Sequence, residues 1–127
     1  MIIIAAHSAL ATGYQAVLQF FLPGTEFVIF NAFLRDPDLD HELDEWFSRQ
    51  DSDQDFIVFT DLLSGSVTRA FLAKAQTFRV HVIASVNLDC ILDFMMSEEP
   101  DLKKRIQEAI EFARGNLCYV NERVDHL

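Results

Sequence analysis

Four stretches of this chain are almost unbroken in apolar character, and the segments between them are not. Ile2-Ile3-Ile4-Ala5-Ala6, Phe27-Val28-Ile29-Phe30 and Phe56-Ile57-Val58-Phe59 carry no polar residue, and 79–86 is mostly apolar. A strand that alternates apolar and polar residues can face water on one side, whereas a strand apolar throughout must be covered on both. The intervening segments supply the cover. Leu10, Tyr14, Val17, Leu18 and Phe21 recur at helical spacing and stop near Pro23-Gly24. Asp38 is placed to cap a helix with Leu39, Leu43, Trp46 and Phe47 on one face. Ser66 could cap another over about 66–76, packing through Val67, Ala70 and Phe71. Asn87 can cap a short helix carrying Leu88, Ile91, Leu92 and Met95.

Past the break at Ser97-Glu98-Glu99-Pro100-Asp101, a last helix is expected to about Arg114, with Leu102, Ile106, Ala109, Ile110 and Ala113 inward. Gly115 falls where a left-handed residue closes a helix. Leu117-Cys118-Tyr119-Val120 reads as a final short strand. The pattern is an α/β fold: a doubly wound, mainly parallel sheet in the order 2-1-3-4, flavodoxin-like, with helices on both faces and a short C-terminal strand. With 127 residues, half of them apolar and twelve of them Phe, one domain over 1–127 with one core is expected.

The bulk numbers exclude several functions. A net charge of −10 argues against nucleic acid, whose phosphates call for clustered Lys and Arg. Nine of the twenty acidic residues fall between Asp36 and Asp55, which is either a solvated helix face or a surface that steers a basic partner protein. No apolar run approaches the roughly 20 residues that span a bilayer. The first apolar run has no basic residue before it and is too short for a signal peptide, so the expected compartment is the cytoplasm. Cys90 and Cys118 fit no metal spacing and read as two buried free thiols.

His7 and Asp61 follow the first and third apolar runs. In an open α/β sheet the strand C-termini converge on one crevice, where ligands bind. A neutral imidazole is a good nucleophile toward phosphorus if one nitrogen is bare and the other N–H is held. Asp61 is the candidate holder: it would fix the tautomer and offset the positive charge that develops on the ring. Ser64-Gly65-Ser66 opens the next helix. Its glycine allows close approach, and the helix N-terminus and hydroxyls suit an anion. Each feature has a plainer reading: His7 as a loop residue, Asp61 as a loop Asp or cap, Ser-Gly-Ser as an ordinary turn. The chain carries no Walker pattern, no GxGxxG and no paired carboxylates for Mg²⁺, so neither a metal nor a cofactor is expected. His41 lies in the acidic helix, His81 reads as a half-buried strand residue, and His126 lies in the tail.

Three segments carry a resemblance. Ala6-His7-Ser8-Ala9-Leu10-Ala11-Thr12-Gly13, Phe59-Thr60-Asp61-Leu62-Leu63-Ser64-Gly65-Ser66 and Val82-Ile83-Ala84-Ser85-Val86-Asn87-Leu88 resemble, in order and spacing, the enzyme IIA domain of the mannose family in the bacterial phosphoenolpyruvate-dependent sugar phosphotransferase system. The resemblance implies that His7 is phosphorylated, that Asp61 hydrogen-bonds it and that Ser66 lies near the phosphoryl group. It implies phosphate arriving from phospho-HPr and leaving for a IIB domain, with the membrane reached only through the IIC and IID transporter. It also implies a homodimer in which residues 117–120 add to the partner's sheet.

Departures are visible. The family's usual glycines beside the histidine are Ala6 and Ser8 here, the first glycine of its Gly-Gly-Ser loop is Ser64, and its strand-4 exit, usually Gly-Val-Asn-hydrophobic-Pro, has Asp89 where the Pro is expected. Val67 and Arg69 replace a Pro and an Asn. Arg69 either adds a cation for phosphate or faces solvent. The nucleophile and its Asp are intact, which favours an active phosphocarrier over a regulatory phosphohistidine module of the same fold or a non-covalent anion binder.

Overall fold

β1 (Ile2–His7), α1 (Leu10–Phe21), β2 (Val28–Ala32), α2 (Leu39–Phe47), β3 (Asp55–Thr60), α3 (Ser66–Ala73), β4 (Arg79–Ile83), α4 (Leu88–Met96) and α5 (Leu102–Asn116) follow one another in the computed structural model, which describes residues 1–123. The strands form one sheet, ordered β2-β1-β3-β4. All three neighbouring pairs are parallel, with Ile4 opposite Ile29 on one side and Phe59 on the other. The chain divides into two compact units, Met1–Val86 and Asn87–Leu127.

In the first unit the sheet is covered on both faces, as its apolar strands require. Successive strand side chains point to opposite faces. Ile3, Ala5, Phe30, Ala32, Phe56 and Val58 form one cluster with Leu39, Leu43 and Phe47 of α2 and with Val67 and Phe71 of α3. Ile4, Ala6, Ile57, Phe59 and Ile83 alternate with these and are also buried, as are Ala11 and Leu18 of α1, the helix that contacts β1 and β2. The α2/α3 face is aromatic. Trp46 meets Phe47, Phe30 and Phe56 nearly edge-on at 4.9, 5.4 and 6.0 Å, and Phe47 meets Phe71 at 6.3 Å. Such pairs add about 0.5–1.5 kcal/mol each beyond their burial.

In the second unit α4 packs against α5. The Arg105 guanidinium lies 4.1 Å from the centre of the Phe94 ring, and its Nε donates to the Phe94 carbonyl at 2.7 Å. Asp101 caps α5 by accepting from the backbone N–H of Lys104 at 3.1 Å. Cys90 is buried, and burial followed by the charge of Asp93 pushes its thiol up to about 11.

The caps at Asp38 and Asn87 are where the sequence places them, accepting from His41 N and Cys90 N. Other expectations are corrected. Gly65, not Ser66, is the N-cap of α3, which gives way to a 3-10 turn at Lys74–Gln76. β4 ends at Ile83, before Val86, because Ser85 turns into the left-handed region at φ 52°. Gly115 lies inside α5, and among the described glycines only Gly24 has positive φ. Leu117–Val120 pairs with no strand of its own chain among the described residues: Leu117 and Tyr119 are extended, and a 3-10 turn begins at Val120. Cys118 is exposed, not buried. His126 lies outside the described residues.

Candidate functional site

His7 is the last residue of β1, paired with Ala32 of β2. Asp61 is the first residue after β3. Parallel register sets the two C-termini side by side, and the contact is direct. Asp61 Oδ2 accepts from the backbone N–H of His7 at 3.0 Å and lies 2.9 Å from His7 Nδ1. Burial raises the Asp61 carboxyl. The N–H of His7, the imidazole and its own backbone N–H outweigh that and hold it below the usual carboxylate range. An ionised carboxylate has no proton to give, so Nδ1 carries the hydrogen and donates. In the neutral ring Nε2 is then the bare nitrogen, and it has no hydrogen-bond partner among the described residues. The His7 side chain is 39% exposed and that of Asp61 11%. Asp61 Oδ1 is buried with no partner among the described residues. Leaving an acceptor so placed costs on the order of 1–3 kcal/mol, and it leaves the imidazole as the only side chain bonded to this carboxylate.

The loop after β3 brings α3 to the same place. Thr68 ties it down, its hydroxyl donating to the Leu62 carbonyl at 2.5 Å and lying 2.6 Å from the Thr60 hydroxyl. Gly65 is needed for approach and not for conformation, since its φ is −78°. A Cβ there would come within 3.2 Å of Leu62 Cβ and 3.4 Å of His7 Cε1. No side chain caps α3, so its first-turn N–H groups remain available, the usual setting for an anion. Ser66 opens the helix and lines a cleft of about 400 Å³ with Phe33 and Arg69. Ser64 is exposed on the loop. Neither serine hydroxyl makes a hydrogen bond among the described residues. The structure thus joins His7 and Asp61 directly and brings Gly65 close enough that a side chain there would meet the imidazole. Ser66 sits one residue past Gly65, and Ser64 faces outward one residue before it.

Three neighbours escaped the sequence reading. Phe33, just past β2, lays its ring 5.7 Å from the His7 ring at 37°. Tyr14 of α1 donates its hydroxyl to the Val86 carbonyl at 3.2 Å. Burial first, and the charge of Asp61 second, raise its phenol. Ser85 accepts from the backbone N–H of Leu63 at 3.2 Å. Ser8, Phe33 and Ser85 all have positive φ, at 56, 64 and 52°. Each follows a strand C-terminus. A non-glycine residue there costs roughly 1–2 kcal/mol, and such strain concentrates at functional sites. The exit of β2 was the missed signal: it meets the same crevice as β1 and β3. Among the described residues no group of three or more His, Cys, Asp or Glu is placed to hold a metal ion.

A parallel sheet with a carboxylate-held histidine at its carboxyl edge, facing an uncapped helix N-terminus, defines an α/β protein built to present an imidazole to an anion. Comparison makes the class specific. The model of the EIIA-man family, PTS system fructose IIA component, matches residues 1–113. The chain belongs to that family, whose members serve the sugar phosphotransferase system as phosphotransferase components. It is similar to a solved protein from Klebsiella pneumoniae described as a phosphoenolpyruvate-dependent sugar phosphotransferase system permease. The two share 25% identity over 97% of this chain and 92% of that one, at TM-score 0.90. The fold is also that of component EIIA from Streptococcus agalactiae, at 20% identity, covering 95% of this chain and 97% of that one, with TM-score 0.76. A mannose/sorbose IIA subunit from Enterococcus faecalis shares it at 16% identity, covering 93% and 92%, also with TM-score 0.76. No curated protein matches the chain. No helix among the described residues is long and apolar enough to cross a membrane.

Proposed function

We propose that this chain is a phosphohistidine carrier that accepts phosphate from phospho-HPr on His7 and passes it to a IIB domain during sugar uptake. The observation that carries the reading is the 2.9 Å contact of Asp61 with His7 Nδ1, which leaves Nε2 bare on a partly exposed ring. In the transfer, the Nε2 lone pair attacks phosphorus, the Nε2–P bond forms and the donor's P–N bond breaks. The donor imidazole leaves with the bonding electron pair. The His7 ring, keeping its Nδ1 proton, gains imidazolium character, and the adjacent carboxylate offsets it. The first-turn N–H groups of α3 and the Ser64 and Ser66 hydroxyls are suited to the phosphoryl oxygens, with Gly65 keeping the approach open. The return step to IIB runs the same bond exchange in the other direction.

The setting that fits this role is the cytoplasm, with 1–127 acting as one IIA-type unit. We also infer a homodimer. Leu117 and Tyr119 are extended, carry apolar side chains that are 85% and 64% exposed, and belong to no strand among the described residues. β4 is an edge of the sheet, and an open edge invites a strand from a second copy. The deciding experiment for the carrier is incubation with phosphoenolpyruvate, enzyme I and HPr, followed by mapping of an acid-labile, alkali-stable phosphate. Its absence from His7 would overturn the reading. For assembly, full-length protein is expected to sediment as a dimer and a chain truncated after Arg114 as a monomer or aggregate. A full-length monomer at micromolar concentration would overturn the exchange.

A further inference from the structure

We propose that Ser85 is a positioning residue: its hydroxyl latches the loop that carries Asp61 and Gly65 against the imidazole. This rests on the phosphocarrier reading above. The loop 61–65 runs between the carboxylate that holds His7 and the glycine that lets α3 come close to it. Leu62, Leu63 and Ser64 in its middle are exposed, so burial does little to fix them. The Leu62 carbonyl is bonded by Gly65 N at 3.2 Å and by the Thr68 hydroxyl at 2.5 Å, both within the same local segment. Apart from the Asp61–His7 contacts, the hydrogen bond from Leu63 N to Ser85 Oγ at 3.2 Å is the only one linking this loop to a distant part of the chain among the described residues. It reaches the exit of β4, which is already registered to the exit of β3 by Val86 N donating to the Thr60 carbonyl at 3.0 Å.

The residue type is informative. Ser85 stands at φ 52°, a conformation glycine adopts without strain and serine does not. The Ser85 side chain is exposed, so it fills no core. What the strained serine adds over glycine is an oxygen, and that oxygen is engaged with Leu63. Small displacements of a reacting group lower rates steeply, and one end of the loop bonds the nucleophile while the other lies within a methyl group's reach of it.

Two variants separate the latch from ordinary stability. Ser85→Ala keeps the strain and loses the acceptor; Ser85→Gly loses both. Amide exchange at Leu63 is expected to quicken in both variants by roughly three- to tenfold, the span of one neutral hydrogen bond. In transfer from phospho-HPr, kcat is expected to fall by roughly the same factor in both, with KM within about twofold of the parent. Ser85→Gly is expected to melt above Ser85→Ala, because the strain is gone. A structural role alone would make activity follow stability, and Ser85→Gly would then transfer at least as fast as the parent. That result, or Leu63 exchange unchanged in both variants, would overturn the latch. A parent protein that takes no phosphate overturns the carrier reading instead, and the exchange at Leu63 still decides whether the latch exists.

Discussion

His7 with Asp61 and His81 with Asp55 are the same two side chains at opposite ends of β3, Asp55 its first residue and Asp61 the residue after its last. The imidazoles are equally open, 39% and 37% exposed. The carboxylates are not: Asp61 is 11% exposed and Asp55 41%. Asp55 also receives Arg79 Nε at 3.2 Å, so its charge is already met and is screened by water. Asp61 faces the imidazole alone across a drier gap, where the same charge acts more strongly. The held nitrogen differs too. His81 is bonded through Nε2 and His7 through Nδ1. Only His7 has a helix N-terminus brought close, by Gly65. A His–Asp pair is therefore not a site by itself; the buried carboxylate, the choice of nitrogen and the neighbouring α3 make the difference.

The comparison can be broken most directly at the nucleophile. His7→Ala should abolish phosphate labelling, whereas His81→Ala should leave it within about twofold; labelling of His7→Ala at the parental level would reverse the roles of the two pairs. Next comes the carboxylate. Asp61→Ala should fold and slow transfer by on the order of 10²–10⁴, and a single-turnover rate within about twofold of the parent would reduce Asp61 to a loop residue. Gly65→Ala tests the approach of α3. Its methyl would push Leu62 aside by a few tenths of an ångström and rest against the imidazole, and a loss of roughly three- to tenfold in kcat at unchanged melting temperature is expected. A parental rate would show that the helix end has slack.

The smallest effect belongs to the other end of the strand. The hydrogen bond from His81, against burial and with help from Arg79, holds the Asp55 carboxyl below its ordinary value. A lowered folded-state pKa contributes stability above about pH 3.9, the unfolded value, and loses it as pH falls through the folded one. Asp55→Asn should thus cost under about 1 kcal/mol at pH 7, since the pair is exposed, and make the acid branch of stability shallower. A steeper acid branch in urea titrations would contradict the sign.

The sheet order was legible because unbroken apolar runs leave few arrangements, and His7 and Asp61 were legible because strand ends converge. The caps at Asp38 and Asn87 were legible from their own side chains. What stayed hidden were residues whose role depends on backbone conformation or on a third strand. Phe33 and Ser85 announce nothing in sequence, since a left-handed φ at a non-glycine residue has no signature, and Tyr14 passed as one more helix-face residue. The same limit applies at the chain's end. Leu117–Val120 has strand composition, but a strand exists only where an edge receives it, and Gly115 sits comfortably inside α5 because nothing there demands its freedom.

The packing of Trp46 makes the protein its own optical gauge. It is the chain's only tryptophan, and its half-buried ring packs edge-on against Phe30, Phe47 and Phe56, all in the first unit. Indole emission therefore follows the surroundings of Trp46 within Met1–Val86, and α4 and α5 carry no indole. Far-ultraviolet dichroism sees every helix. Coincident curves from the two would mean that both units unfold in one cooperative step, and curves that separate would give each unit its own midpoint from a single sample without any added label.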